Sequence, residues 1–248
     1  SVIGTVSQGT PMDEVRKQDG VRFEAAKFGW IGNPVIDNLV AMSWAASGLK
    51  TLDDVRSRGG LICGGSGGTT PAMIYPRILN ALLKLNIKVI SGYPGSNAYA
   101  LAMERGEVDG ICGLSWSTIK TRHAQWLKDK KMTLLVQAAF KKEPEMGDVP
   151  LIVDLTKDQE TLQIMKLFLT AQEMARPFAA PPGIPADRKA ALVAAFEATM
   201  KDLEFLAEAQ KLSIDVAPVS AARLDKMLGE LYATPKAVLQ KAAQAVAK

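Results

Sequence analysis

Between Leu61 and Thr70 the chain reads LICGGSGGTT, and Pro71 and the helix-compatible run AMIYPRILNALLKL follow at once. A strand that ends in a glycine-rich turn and opens a helix leaves unpaired backbone N–H groups pointing outward. With the positive end of the helix dipole behind them, they form an anion site. Ser66, Thr69 and Thr70 add hydroxyl donors, and Gly67, Gly68 and Thr69 add backbone N–H donors. The pattern recurs at Val89–Asn97, VISGYPGSN, before the helical run AYALAMERG. There Tyr93, Gly95, Ser96 and Asn97 supply a phenol, a backbone turn, a hydroxyl and an amide. A carboxylate gains roughly 1.5–3 kcal/mol from each such bond, because the acceptor is charged. Two turns of this kind suggest a cleft for a small oxygen-rich anion. Helix capping is the competing role for Ser66, Thr69 and Thr70, and plain packing for Tyr93.

Other chemistries fit less well. Gly64-Gly65-Ser66-Gly67-Gly68 matches GxSxG, the nucleophile elbow of serine hydrolases, but that chemistry needs a base beside the serine. The single histidine, His123, lies in the polar stretch STIKTRHAQWLKD beside Arg122. One histidine and no clustered carboxylates leave little to hold a transition metal. No lysine follows the glycines, as a phosphate loop requires, and GGSGG does not match GxGxxG. No cofactor is implied. Cys63 and Cys112 are the two cysteines, each beside a glycine at an expected strand end. They read as small buried thiols, or as a disulfide if their Cα atoms lie within about 7 Å in an oxidising compartment.

The elements that would position these groups alternate. The sequence predicts strands at 1–6, 28–32, 39–44, 61–63, 87–90, 108–112 and 133–137. Helices are expected from Thr51, which is a suitable N-cap with Asp54 at the capping-box position, from Pro71, from about residue 98 to Gly106, and over 117–130. Ser7-Gln8-Gly9-Thr10-Pro11 reads as a turn, and RPFAAPPGIP at 176–185 as an extended connector. After Pro185, Leu192, Val193, Phe196, Met200, Leu203 and Leu206 recur at helical spacing, and a last amphipathic pattern uses Leu224, Met227, Leu228, Leu231 and Tyr232. Strand–helix alternation argues for an α/β fold with a parallel or mixed sheet.

With 248 residues, 48% of them apolar, the chain can bury a sizeable core. Its 30 basic and 26 acidic residues are interspersed, and the one dense basic run is KDKK at 128–131, so a nucleic-acid partner is not expected. No apolar stretch approaches the ~20 residues that span a bilayer. The sequence begins at Ser1, directly in the strand-like run SVIGTVS, so sequence before Ser1 is expected to be missing.

In these motifs the chain resembles the periplasmic solute-binding proteins of tripartite tricarboxylate transporters, the TctC or Bug type. The resemblance rests on the strand–turn–helix at 61–71, the aromatic turn Tyr93-Pro94-Gly95 and the signature Gly106-Glu107-Val108-Asp109-Gly110. It continues through Asp148-Val149-Pro150, Ala180-Pro181-Pro182-Gly183-Ile184-Pro185 and Thr199-Met200-Lys201-Asp202, over essentially the whole chain. Two departures stand out. Tyr75 and Pro76 replace the family's usual histidine or serine arrangement. The family's N-terminal segment, with a glycine-rich loop that contacts one end of the ligand, would lie before Ser1, in sequence expected to be missing here. The resemblance implies a two-lobe, type II periplasmic-binding-protein fold with a hinge and an incomplete first lobe. Crossovers near 40–44 and 134–137 would make 1–44 and 134–248 the first lobe and 45–133 the second. It implies a non-enzymatic, monomeric, periplasmic protein, exported by a signal peptide, that binds a small carboxylate in the cleft and delivers it to a membrane permease. Ser7, Gln8, Gly9 and Thr10 would face Ser66–Thr70 and Tyr93–Asn97 across the cleft, with Asp109 either orienting the second-lobe loops or capping a strand end. A serine hydrolase at Ser66 and a ligand-free interaction scaffold are the alternatives.

Overall fold

The structure, a computed structural model, describes residues 2–15, 20–68, 70–212 and 214–247; Ser1 and Thr69, both singled out above, fall outside them. In chain order β1 (Gly4–Thr5), α1 (Thr10–Val15), β2 (Gly29–Asn33) and β3 (Leu39–Trp44) come first. Next come α2 (Leu52–Ser57), β4 (Leu61–Gly64), α3 (Pro71–Leu83), β5 (Ile87–Ile90), α4 (Ser96–Glu104) and β6 (Gly110–Ser115). They are followed by α5 (Trp116–Arg122), α6 (Ala124–Lys128), β7 (Met132–Ala138), α7 (Gln159–Thr170) and β8 (Phe178–Ala180). The chain closes with α8 (Ala186–Thr199), α9 (Leu203–Lys211), β9 (Val219–Ser220), α10 (Ala221–Tyr232) and α11 (Lys236–Ala245). No helix among the described residues is long and apolar enough to cross a membrane.

The fold divides into two compact units, Ser1–Asp37 with Leu167–Leu239, and Asn38–Lys166 with Gln240–Lys248. The sequence reading divides the chain after residues 44 and 133. The units divide elsewhere because β3 and β7, read as crossovers, pair with each other inside the second unit's sheet.

The second unit holds a five-stranded sheet in the order β5-β4-β6-β3-β7. β4 runs parallel to β5 and β6, while β3 is antiparallel to β6 and β7, so the sheet is mixed as the alternation implies. All six residues of β6 are buried, as a central strand covered on both faces requires. The core around it joins Val40, Met42, Met103, Ile111, Trp116 and Trp126. Helix α2 carries the expected capping box: Thr51 Oγ1 accepts from the Asp54 N–H at 3.0 Å, and Asp54 Oδ2 accepts from the Thr51 N–H at 2.9 Å. The strand expected at 108–112 starts two residues later, with Val108 buried in the core before it. The helix expected over 117–130 is two helices, broken at His123, whose ring stacks on Trp126 with centroids 3.9 Å apart.

The first unit holds an antiparallel sheet in the order β1-β8-β2-β9. Its core gathers on Trp30, fully buried, with Nε1 donating to the Ala25 carbonyl at 2.9 Å and with Leu224, Met227 and Leu228 of α10 against it. The expected connector 176–185 contains β8, paired on both edges: three residues between flanking prolines suffice because β1 and β2 supply partners on either side. Among the described residues of the strand expected at 1–6, only Gly4–Thr5 pairs. The helix after Pro185 stops at Thr199. Asp202 then caps α9 by accepting from the Phe205 N–H at 2.8 Å, which leaves Leu203 83% exposed rather than on a shared apolar face.

Candidate functional site

Because β4 and β5 are parallel neighbours, the turns that follow them leave the same end of the second unit's sheet. The backbone joins them there. The Gly65 N–H donates to the Ile90 carbonyl at 2.9 Å, the Gly92 N–H to the Ser66 carbonyl at 2.9 Å, and the Tyr93 N–H to the Gly65 carbonyl at 3.3 Å. The structure therefore sets the turn that carries Ser66, Gly67, Gly68 and Thr70 beside the turn that carries Tyr93, Gly95, Ser96 and Asn97. Helices α3 and α4 both begin at this edge, and the opening N–H groups of a helix have no partner within it. In α4 the Gly95 carbonyl accepts from Ala98 and Tyr99, so the Ser96 and Asn97 N–H groups lie ahead of the first helical bond.

The Thr70 hydroxyl does not cap α3. Thr70 stands at the N-cap, but its Oγ1 donates to the Gly67 carbonyl at 3.1 Å and lies 3.1 Å from Ser66 Oγ, closing the glycine turn on itself. The Thr70 carbonyl accepts from Met73 and Ile74, and Pro71 brings no N–H to the first turn. Tyr93 is half-buried and packs edge-on against Tyr99, with ring centroids 6.4 Å apart and planes at 80°. Burial pushes the Tyr99 phenol above its usual pKa. Tyr99 fixes the ring that the turn displays, a role its place in an apolar helical run does not announce.

Gly113 seats the start of α3. The β3–β6 register slips between Val40 and Ala41, leaving Gly113 as the extra residue of a bulge with φ of +81°. A Cβ there would stand 2.6 Å from the Pro71 carbonyl oxygen, so only glycine lets the strand and the helix start approach this closely.

Asp109 takes the second of its two expected roles, at a strand end. It precedes β6, and its Oδ2 accepts from the Ile62 N–H at 3.2 Å while its own N–H donates to the Ile62 carbonyl at 2.7 Å. It staples β6 to β4 upstream of the glycine turn, because Gly110 pairs with Cys63 and the turn lies beyond Gly64. In the first unit, Ser7–Thr10 form a turn that opens α1. Ser7 Oγ accepts from Gly9 at 3.3 Å, and the Ser7 carbonyl accepts from Thr10 at 3.0 Å. Gln8 turns inward beside Pro11, Met12 and Met174, with its Oε1 buried and unpaired among the described residues.

Ser66 Oγ is engaged with Thr70, and His123 sits between α5 and α6, stacked on Trp126. Burial pulls the His123 pKa below its usual value, against the pull of Glu104. Among the described residues no group of three or more His, Cys, Asp or Glu is placed to hold a metal. Cys63 and Cys112 are buried thiols with their Sγ atoms 3.3 Å apart.

No protein-family model and no curated protein matches this sequence. Solved structures do match it. A TctC solute-binding protein from Polaromonas superposes with a TM-score of 0.68 at 12% identity, covering 96% of this chain and 77% of that one. An R. palustris protein solved with adipate gives 0.65 at 15% identity, covering 98% and 76%. MatC from Rhodopseudomonas palustris with bound malate gives 0.63 at 16% identity, covering 99% and 78%. The chain has the fold of these periplasmic-type solute-binding proteins.

Proposed function

We propose that the chain is a TctC- or Bug-type solute-binding protein. It takes up a small organic carboxylate between its two units and hands it to a tripartite tricarboxylate-type permease, working as a periplasmic monomer. The observation that carries this reading is the pair of donor-rich turns, Gly64–Thr70 and Ser91–Asn97, bonded to each other at one sheet end. Neither contains a lysine or arginine, so backbone N–H groups, hydroxyls and a phenol do the recognising, and bridging water supplements them. In this reading the Ser66 and Thr70 hydroxyls turn from each other and from the Gly67 carbonyl to the ligand, and with the Gly67 and Gly68 N–H groups they bind one end of the carboxylate. Tyr93 Oη and the helix start at Gly95, Ser96 and Asn97 take the adjoining oxygens. Ser7–Thr10 form the first unit's half of the clamp, through backbone and hydroxyl groups, with the Gln8 amide oxygen turned away. Asp109 acts on the site only through the strand it staples. The fold shared with the adipate- and malate-bound proteins supports the same ligand class.

Thermal shift and titration calorimetry across mono-, di- and tricarboxylates, malate and adipate included, test this directly. A ligand at a hundredfold excess over Kd stabilises the protein by about 2.7 kcal/mol. Ser66→Ala is expected to weaken that ligand about tenfold, the equivalent of one charge-assisted bond. No stabilisation by any carboxylate in the panel would remove the binding reading, and turnover of a carboxylic ester lost in Ser66→Ala would replace it with the hydrolase.

A further inference from the structure

Two cysteines are all the chain contains, and the fold sets them against each other. Cys63 lies in β4 and Cys112 in β6, neighbouring parallel strands in which Cys63 is level with Gly110. Side chains alternate along a strand, so Gly110 and Cys112 share a face, and Cys63 projects to that same face. Both residues are fully buried, and their sulfurs lie 3.3 Å apart. A disulfide requires about 2.05 Å, so each sulfur has little more than half an ångström to travel. The pair also sits where a brace would matter. Cys63 is followed by Gly64 and Gly65, which enter the glycine turn, and Cys112 by Gly113, on which Pro71 and the start of α3 rest.

We infer that Cys63 and Cys112 become a disulfide when the chain folds in an oxidising compartment, cross-linking β4 to β6 directly behind the Ser66 turn. The compartment rests on the periplasmic reading above; the juxtaposition of the sulfurs does not. The oxidant is a disulfide, of a protein or of a small thiol. One cysteine thiolate attacks it to form a mixed disulfide and expel one thiol. The second thiolate then attacks the mixed disulfide, forming the Cys63–Cys112 bond and expelling the other thiol. The two cysteines lose two electrons and two protons, and the oxidant leaves as two thiols. Burial disfavours the Cys63 thiolate, so the exchange runs before the sheet closes, and the closed sheet then shields the bond from reductant.

The test uses the whole chain, unfolded and reduced, then refolded in a glutathione redox buffer and trapped with N-ethylmaleimide in denaturant. The expected product is a folded monomer with no adduct and a peptide pair joining residues 63 and 112. Its Tm should stand about 5–15 °C above that of the chain refolded with dithiothreitol, which carries two adducts. The double variant C63A/C112A should show no dithiothreitol dependence of Tm. Two adducts on the chain refolded in glutathione, or bonds only between molecules, would overturn the inference. A chain that closes in glutathione but carries two adducts when isolated from its own cell supports the cross-link and counts against the periplasmic location instead.

Discussion

His123 packs its ring flat on Trp126, and its Nε2 is buried without a partner among the described residues. Burial is the largest influence on it and lowers its pKa; Glu104 opposes, and Arg122 adds to the lowering. The usual value is 6.5, so below about that pH the unfolded chain takes up a proton that the folded chain resists. Stability is therefore fully present above pH 6.5 and falls as the pH drops toward the depressed folded value. Asp54, Glu145 and Asp158 are held low chiefly by hydrogen bonds from the Lys50 backbone, Lys120 and the Thr161 backbone respectively, so they lose their contribution only at more acidic pH. His123→Phe keeps the stacking and removes the proton site. Urea midpoints between pH 7.5 and 5.5 are expected to fall for the parent and stay nearly level for the variant; equal slopes would show that His123 titrates as it does in the unfolded chain. At this scale residue types were legible and partners were not. Ser66, Tyr93 and Asn97 declare their donors in the sequence. That Thr70 would bond Ser66 instead of α3, or that Asp109 would staple a strand, depends on contacts made only after the strands align.

Element by element, the periodic segments were legible where a cap or a full apolar face announces them, as at Thr51, Pro71 and Leu224–Leu231. Elements held by their neighbours were hidden. Strand β8 is three residues among prolines and exists because β1 and β2 flank it, while α9 is set apart from α8 by the single cap at Asp202. Helix α8 shows how far docking outweighs its own pattern: none of its residues is fully buried, yet its Phe196 ring lies directly on Gly32 of β2. A Cβ at Gly32 would stand 2.2 Å from that ring. Gly32→Ala must lift α8 or twist Phe196 off its rotamer, at about 1–3 kcal/mol, as overpacking a close contact does. Chemical denaturation should show the midpoint lowered with an unchanged slope, and adding Phe196→Leu should recover part of it. A midpoint within experimental error of the parent would mean that α8 is not seated on β2 through this contact.

At the scale of the whole molecule, the chain passes between its two units at 37/38, 166/167 and 239/240, and each unit keeps a sheet of its own, one antiparallel and one mixed. The proposed function asks more of this arrangement than of either unit. A carboxylate held by the second unit's turns alone would be insensitive to the first unit's turn, whose hydroxyls at Ser7 and Thr10 belong to a separate compact body. A ligand held by both must lose affinity from either side. Ser7→Ala with Thr10→Val in the first unit, and Ser66→Ala in the second, should each weaken the best carboxylate of the panel, about tenfold per charge-assisted bond removed. Independent sites lose binding energy additively, so if the two turns act independently the combined variant is expected near the product of the two effects. Calorimetric titration of the four proteins decides the matter. Full affinity in the Ser7/Thr10 variant would confine recognition to the Ser66–Tyr93 edge and leave the first unit without a part in it.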